Sequence, residues 1–321
     1  MLKGIFKAIV LLIALFVAPA AAYAQATHVL IIVGLGGDEE HGALFDKWGT
    51  KLAATVTDTL GVPKDNVTLL QDSHATRAAV VSAFGALASN ATADDSVMIV
   101  LFGFGTFDGR TAKFNLPGPD MTPEDFGPLL TKIRSKRLVF VDTTSSSGPF
   151  VEALAAPGRI VVAATRSGAE EYATLFGGPF VDAFSDPAAD GDHDGRVSVL
   201  EAFNYAKTQV SATFQREGLM QTEHAVLDDN GDKAPSMDPA ADAKEGRAAA
   251  LVSLGALNQQ ALPADPKLRA LYVSRQDLER RIDSLKLMKS SMDPAKYEQE
   301  LEALATQLAL TTREIRDAGG K

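Results

Sequence analysis

The sequence predicts an α/β fold, a mostly parallel sheet between two layers of helices, with an α-helical hairpin at the C-terminal end. Three observations carry this. Apolar, β-branched runs alternate with amphipathic stretches, the runs end abruptly in small polar residues, and beyond position 266 the period becomes helical. Strands that are apolar throughout, rather than on alternate residues, are covered on both faces, as in a sheet with helices on each side.

In chain order, HVLIIVGLGG (28–37) reads as the first strand and 44–60 as a helix stopped by Gly61 and Pro63. NVTLLQD (66–72) is a second strand and 76–88 a second helix. The third strand lies in DSVMIVLFGFG (95–105), and KFNLPGPDMTPEDFGPLL (113–130) reads as a proline-rich crossover. RLVFVD (137–142) follows as a strand, then a short helix near 150–155, then the strand in RIVVAATRS (159–167).

Composition changes after Asp228, where Asp, Pro, Ala and Gly dominate, and 233–265 reads as a linker with room for a helix. From 266 to 321, Leu271, Leu278, Ile282 and Leu285, then Tyr297, Leu301, Leu304, Leu308 and Ile315, fall at heptad-like spacing. Met292-Asp293-Pro294 interrupts them, so two helices fold back on each other. They either pack on their own domain or offer a coiled-coil surface for docking or oligomerisation.

Residues 1–24 have the form of a signal peptide. Lys3 and Lys7 precede the apolar run AIVLLIALFV, and Ala22-Tyr23-Ala24 puts small residues at the cleavage positions. The chain is therefore expected to be exported to a bacterial periplasm, with no stable membrane span after cleavage; an uncleaved anchor is the alternative reading. The chain contains no cysteine, which excludes disulfides and a thiol nucleophile alike. A formal net charge of −10 argues against nucleic acid or an anionic membrane surface as partner, and suits cation binding.

DGDHDGRVSVLE (190–201) is the most specific motif. Asp190, Asp192, Asp194, Ser198 and Glu201 set oxygen donors at loop positions one, three, five, nine and twelve; Gly195 makes the turn at six and Arg196 offers its carbonyl at seven. A hard divalent cation needs about six or seven oxygens, closed by a bidentate glutamate, so the expected cofactor is calcium in an EF-hand-type loop. LDDNGDK (227–233) repeats half of the pattern without glycine at the sixth position and reads as a turn or an accessory ligand set.

Taken together, FGTFDGRTAKFNLPGPD, VDTTSSSG, ATRSG and DGDHDGRVSVLEAFNYA, in that order, resemble the legumain-type branch of the caspase-like cysteine peptidases in its bacterial exported form. The resemblance covers about 28–232. It implies a caspase-like three-layer sandwich over 25–232, a general-base histidine at the end of the third strand and a nucleophilic cysteine in the loop after the next. At the histidine's place this chain has Phe104, and at the cysteine's place Ser145, or Thr144 if the register slips by one. A serine without a base is a weak nucleophile, and general-base help is worth about 10²- to 10⁴-fold.

Of the five histidines, His41 is the candidate replacement base, oriented by Asp38, Glu39 or Glu40. Arg166 and Ser167 end the following strand and are candidates to line a substrate cleft. Two functions follow: a proteolytically inactive, calcium-binding module for a peptide or protein partner, or an active hydrolase using Ser145. An unrelated α/β calcium-binding protein is a third reading, against which a cleft joining Phe104 and Ser145 would count.

Overall fold

Alternation of side chains across one six-stranded sheet organises the molecule. The structure, a computed structural model, describes residues 26–242, 244–254, 263, 265–287, 289 and 292–319. The expected signal peptide and the 255–262 part of the expected linker lie outside them.

β1 (Thr27–Val33) pairs in parallel with β2 (Val67–Leu70) on one side and β3 (Ser96–Phe102) on the other. β6 (Arg137–Asp142) and β7 (Arg159–Ala163) continue the parallel order, and β8 (Val226–Asp228) closes it antiparallel, giving β2-β1-β3-β6-β7-β8. A hairpin of β4 (Gly105–Phe107) and β5 (Ala112–Phe114) stands apart from the main sheet.

Period-two alternation then sorts the core. Val29, Ile31, Val33, Met98, Val100 and Phe102 face one layer; Leu30, Ile32, Val97, Ile99 and Leu101 face the other. The first layer holds α1 (Glu39–Ala54), α5 (Gly177–Ala183) and α6 (Val199–Glu217), through Phe45, Trp48, Phe180 and Phe203. The second holds α2 (Arg77–Asn90), α3 (Pro123–Thr131) and α4 (Gly148–Leu154), through Phe84, Phe126, Phe150 and Leu154. The predicted three-layer α/β architecture with a mostly parallel sheet is what the chain forms.

Several boundaries differ from the sequence reading, each for a local reason. α1 begins at Glu39, well before position 44, because the Asp38 side chain accepts the His41 backbone N–H and caps it. It runs into a π-helical turn, Thr55–Thr59, before Gly61. The proline-rich crossover contains β5 and α3: Pro123 sits at the first turn, where its missing N–H costs nothing, behind a Thr122–Asp125 capping box.

The stretch expected as the start of a linker packs on the sheet instead. Ser236 pairs with Leu227 and Val252 with Val199 through backbone hydrogen bonds, and Glu245 is buried. α7 (Pro266–Leu287) and α8 (Pro294–Asp317) meet through Leu278, Ile282, Leu285, Tyr297 and Leu304. That is the heptad seam expected of the hairpin.

Close packing of α1 on α5 requires glycine. A Cβ on Gly177 would lie 2.8 Å from Trp48 Cε3 and 3.1 Å from Thr143 Oγ1. We expect Gly177→Ala to lower stability by about 1–3 kcal/mol, the usual cost of overpacking a filled core. Urea unfolding followed by the fluorescence of Trp48, the single tryptophan, measures this; an unchanged midpoint and spectrum would show that the helices can part without cost.

Candidate functional site

The parallel strands β1, β3, β6 and β7 end at one edge of the sheet, where their following loops gather. α1 and α2 leave β1 and β2 on opposite faces, so the strand order reverses between β1 and β3. Such a switch point leaves a crevice outside the strand ends. A cleft of about 390 Å³ lies there, bordered by Leu35 and Gly37 from the first loop, residues 104–107 from the third strand's loop, Asn115 and Glu171.

Behind the cleft lies the segment 143–147, all of it buried. All of its hydroxyls but that of Ser146 bond inward. Thr143 Oγ1 donates to the Leu101 carbonyl at 2.7 Å, Thr144 Oγ1 to Asp142 Oδ1 at 2.6 Å, and Ser147 Oγ lies 3.1 Å from Thr165 Oγ1. Ser145 is 1% exposed; its Oγ donates to the Gly105 carbonyl at 3.0 Å and accepts the Gly105 N–H at 3.2 Å. A Cβ on residue 105 would sit 2.1 Å from the Ser145 carbonyl oxygen, so only glycine lets the two segments meet.

The structure therefore brings Ser145 directly behind the cleft wall, with its hydroxyl bonded to Gly105, the residue after Phe104. Phe104 turns its ring into an aromatic cluster, 5.3 Å from His41 and 5.6 Å from Phe45 between ring centres. His41 Nδ1 lies 2.8 Å from Asp38 Oδ2, one of the three carboxylates anticipated as its partner. His41 and Ser145 are not hydrogen-bonded to each other; each has the partners just named.

Arg166 and Ser167 do not border the cleft. Arg166 Nε pairs with Glu170 Oε1 at 3.1 Å, and Ser167 packs with its backbone against Gly148. Sequence reasoning missed His224, whose Nδ1 lies 2.8 Å from the same Glu170 oxygen, and it missed Glu171. Neither stands in a local motif; both depend on how the loop after β7 folds over the sheet edge.

In the 190–201 loop three of the anticipated donors gather. Asp190, Asp192 and Asp194 bring carboxylate oxygens within 4.8 Å of one another, and Gly195 takes the left-handed φ of 85°. Glu201 reaches back so that Oε1 accepts the Gly191 and Asp192 N–H groups and Oε2 accepts from Ser198. Desolvation, joined by the charges of Asp194, Glu201 and Asp190, pushes the Asp192 carboxyl above its usual range. Ser198 and Glu201 also form the capping box that starts α6.

The half-motif at 228–233 has the same local build. Asp228 accepts the Gly231 and Lys233 N–H groups, and Lys233 takes a φ of 65° where the first loop has Gly195. Glu245, invisible to loop spacing, joins this turn, and Asp228, Asp232 and Glu245 place oxygens within 4.8 Å of one another.

No family model matches this chain, and no curated protein sequence matches it. Solved structures do. A structural-genomics protein from Geobacter sulfurreducens is 15% identical, over 58% of this chain and 89% of that one, with a TM-score of 0.40. Caspase-1 from Spodoptera frugiperda is 10% identical, over 64% and 87%, at 0.41; the Drosophila initiator caspase Dronc is 10% identical, over 64% and 80%, at 0.39. Among the described residues no helix is long and apolar enough to cross a membrane.

Asp142, the last residue of β6, is fully buried and its Oδ2 has no hydrogen-bond partner among the described residues, so burial pushes its carboxyl from 3.8 to about 6. The folded chain thus holds this proton more tightly than the unfolded chain. Its contribution to stability falls as pH rises from about 3.8 to about 6 and is level above, a loss of about 3 kcal/mol. Asp142→Asn keeps the acceptor for Thr144 and removes the charge. The variant should gain on the parent between pH 4 and pH 6 in urea unfolding and keep a constant advantage above; a difference independent of pH would mean that Asp142 is not titrating there.

Proposed function

We propose that this chain is a proteolytically inactive, calcium-binding module on a caspase- and legumain-like frame that receives a peptide segment at the C-terminal edge of its sheet, in the cell envelope after export. One observation carries the reading. Ser145, in the place of the nucleophile, is buried with both hydrogen-bonding capacities of its hydroxyl used by Gly105, while Phe104 stands where the base belongs. A phenyl ring accepts no proton, and without a base the hydroxyl is a weak nucleophile. What remains usable is the cleft in front of that wall.

The motif segments quoted above support the peptidase-like frame, and the form of residues 1–24 supports export. Calcium would be held by Asp190, Asp192, Asp194, Ser198 and Glu201 with the Arg196 carbonyl, a donor set made only of oxygen, as hard cations prefer. Its charge would offset the mutual repulsion of the three aspartates and fix the entry to α6.

A broad peptide library incubated with the mature protein in calcium should show no cleavage above a Ser145→Ala control. Cleavage that disappears in Ser145→Ala would overturn the inactive reading and make the chain a serine-based hydrolase.

Calcium should raise the melting temperature, because a ligand bound only by the folded state stabilises it by mass action. At a hundredfold excess over Kd the gain is about 2.7 kcal/mol, or roughly 5–10 °C for a domain of this size. EDTA should remove the increment and Glu201→Gln should abolish the response. A melt indifferent to EDTA, with no heat of calcium binding in calorimetry, would remove calcium from the proposal.

A further inference from the structure

Two adjacent glutamates in the loop after β7 differ sharply in their surroundings. Glu170 is saturated: Oε1 meets His224 Nδ1 at 2.8 Å and Arg166 Nε at 3.1 Å, and Oε2 accepts the backbone N–H groups of His224 and Arg166 at 3.0 and 3.1 Å. Glu171 is exposed and has no hydrogen-bond or ion-pair partner among the described residues. It is also the one ionisable side chain bordering the cleft.

The rest of the cleft wall is largely apolar, with Leu35, Phe104 and Phe107 beside Asn115. Leu35 is 44% exposed. An exposed apolar side chain at the border of a recess gains from being covered by an apolar ligand group. The recess volume, about 390 Å³, lies in the range of sites that enclose a small ligand group.

We infer that the cleft captures an arginine side chain of a peptide, its guanidinium paired with Glu171 and its aliphatic stem laid against Leu35, Phe104 and Phe107. The inference rests on the peptide-binding reading above and names the class of peptide. A carboxylate without a partner, set in a half-apolar recess, favours a cation with apolar flanks. Guanidinium meets both demands, since its planar fork bonds a carboxylate through two N–H groups and its face stacks on aromatic rings. Lysine supplies the charge as a compact, strongly hydrated ammonium and gains less from the rings. An acidic side chain would meet repulsion from Glu171 and from a chain carrying a net charge of −10.

The test uses the mature protein in calcium and four fluorescein-labelled, end-blocked alanine pentapeptides with arginine, lysine, glutamine or aspartate at the centre, read by fluorescence anisotropy. The arginine peptide should bind at least tenfold more tightly than the glutamine peptide, with lysine between them and aspartate weakest. Glu171→Gln, an exposed and isosteric change, should remove that preference. Equal binding of all four peptides, or an arginine preference that survives Glu171→Gln, would overturn the arginine assignment and leave the peptide-binding reading standing. No binding by any of the four would overturn both.

Discussion

The C-terminal edge of the sheet is governed by one constraint: five consecutive hydroxyl residues, 143–147, are buried behind β6 and must find their hydrogen-bond partners inside the protein. An unpaired buried hydroxyl costs about 1–3 kcal/mol, so the surrounding loops are held where they can pair with this segment. Thr143 takes the Leu101 carbonyl at the end of β3, Ser145 takes both backbone groups of Gly105, and Ser147 pairs with Thr165 at the end of β7. The third strand with its following loop and the loop after β7 are thus tied to one segment. The tie also fixes Ser145, whose hydroxyl holds the cleft wall from behind. Ser146 is the exception. It has a φ of 55°, and its Oγ is without a partner among the described residues, so the segment's local strain is concentrated there.

The same edge divides its carboxylates into structural and free ones. Glu170 anchors the loop after β7 to β8 through His224, and Glu223 accepts the Leu175 N–H with both oxygens at 3.0 and 2.9 Å. Burial pushes the Glu223 carboxyl up to about 7, and the charge of Glu170 adds to it. These groups hold the loop in place. Because the loop is anchored on both sides of Glu171, that side chain is presented at the cleft from a fixed backbone, and a fixed backbone lowers the ordering cost of binding.

Much of this frame was legible in the sequence, because an apolar β-branched run bounded by polar residues has few alternatives to a buried strand. β1, β3, β6 and β7 were readable in that way, and so was the heptad seam of α7 and α8. What escaped was short or disguised. β8 has three residues, and α3 hides among Pro117, Pro119, Pro123 and Pro128, although Thr122-Pro-Glu-Asp125 is a helix-start signature. In the site, local spacing was sufficient to group Asp190, Asp192 and Asp194, which lie within five consecutive residues. It was insufficient for Glu245, which joins Asp228 and Asp232 only through the folding of the stretch after β8, and for Glu171, whose place depends on loops from three strands.

The separation between hydroxyl segment and cleft also bears on how binding and catalysis relate in such a frame. A nucleophile must be reachable by substrate and paired with a base; a binding wall needs only to be rigid and correctly charged. Phe104, at the border of the cleft, serves the second need. Its ring joins His41 and Phe45 in one aromatic cluster, and that cluster fixes the β3–β4 turn against α1. His41 is then held between Asp38 and Phe104, so its imidazole packs and caps rather than reaching Ser145. Phe104 and His41 thus both support the cleft wall, which Ser145 closes from behind through Gly105.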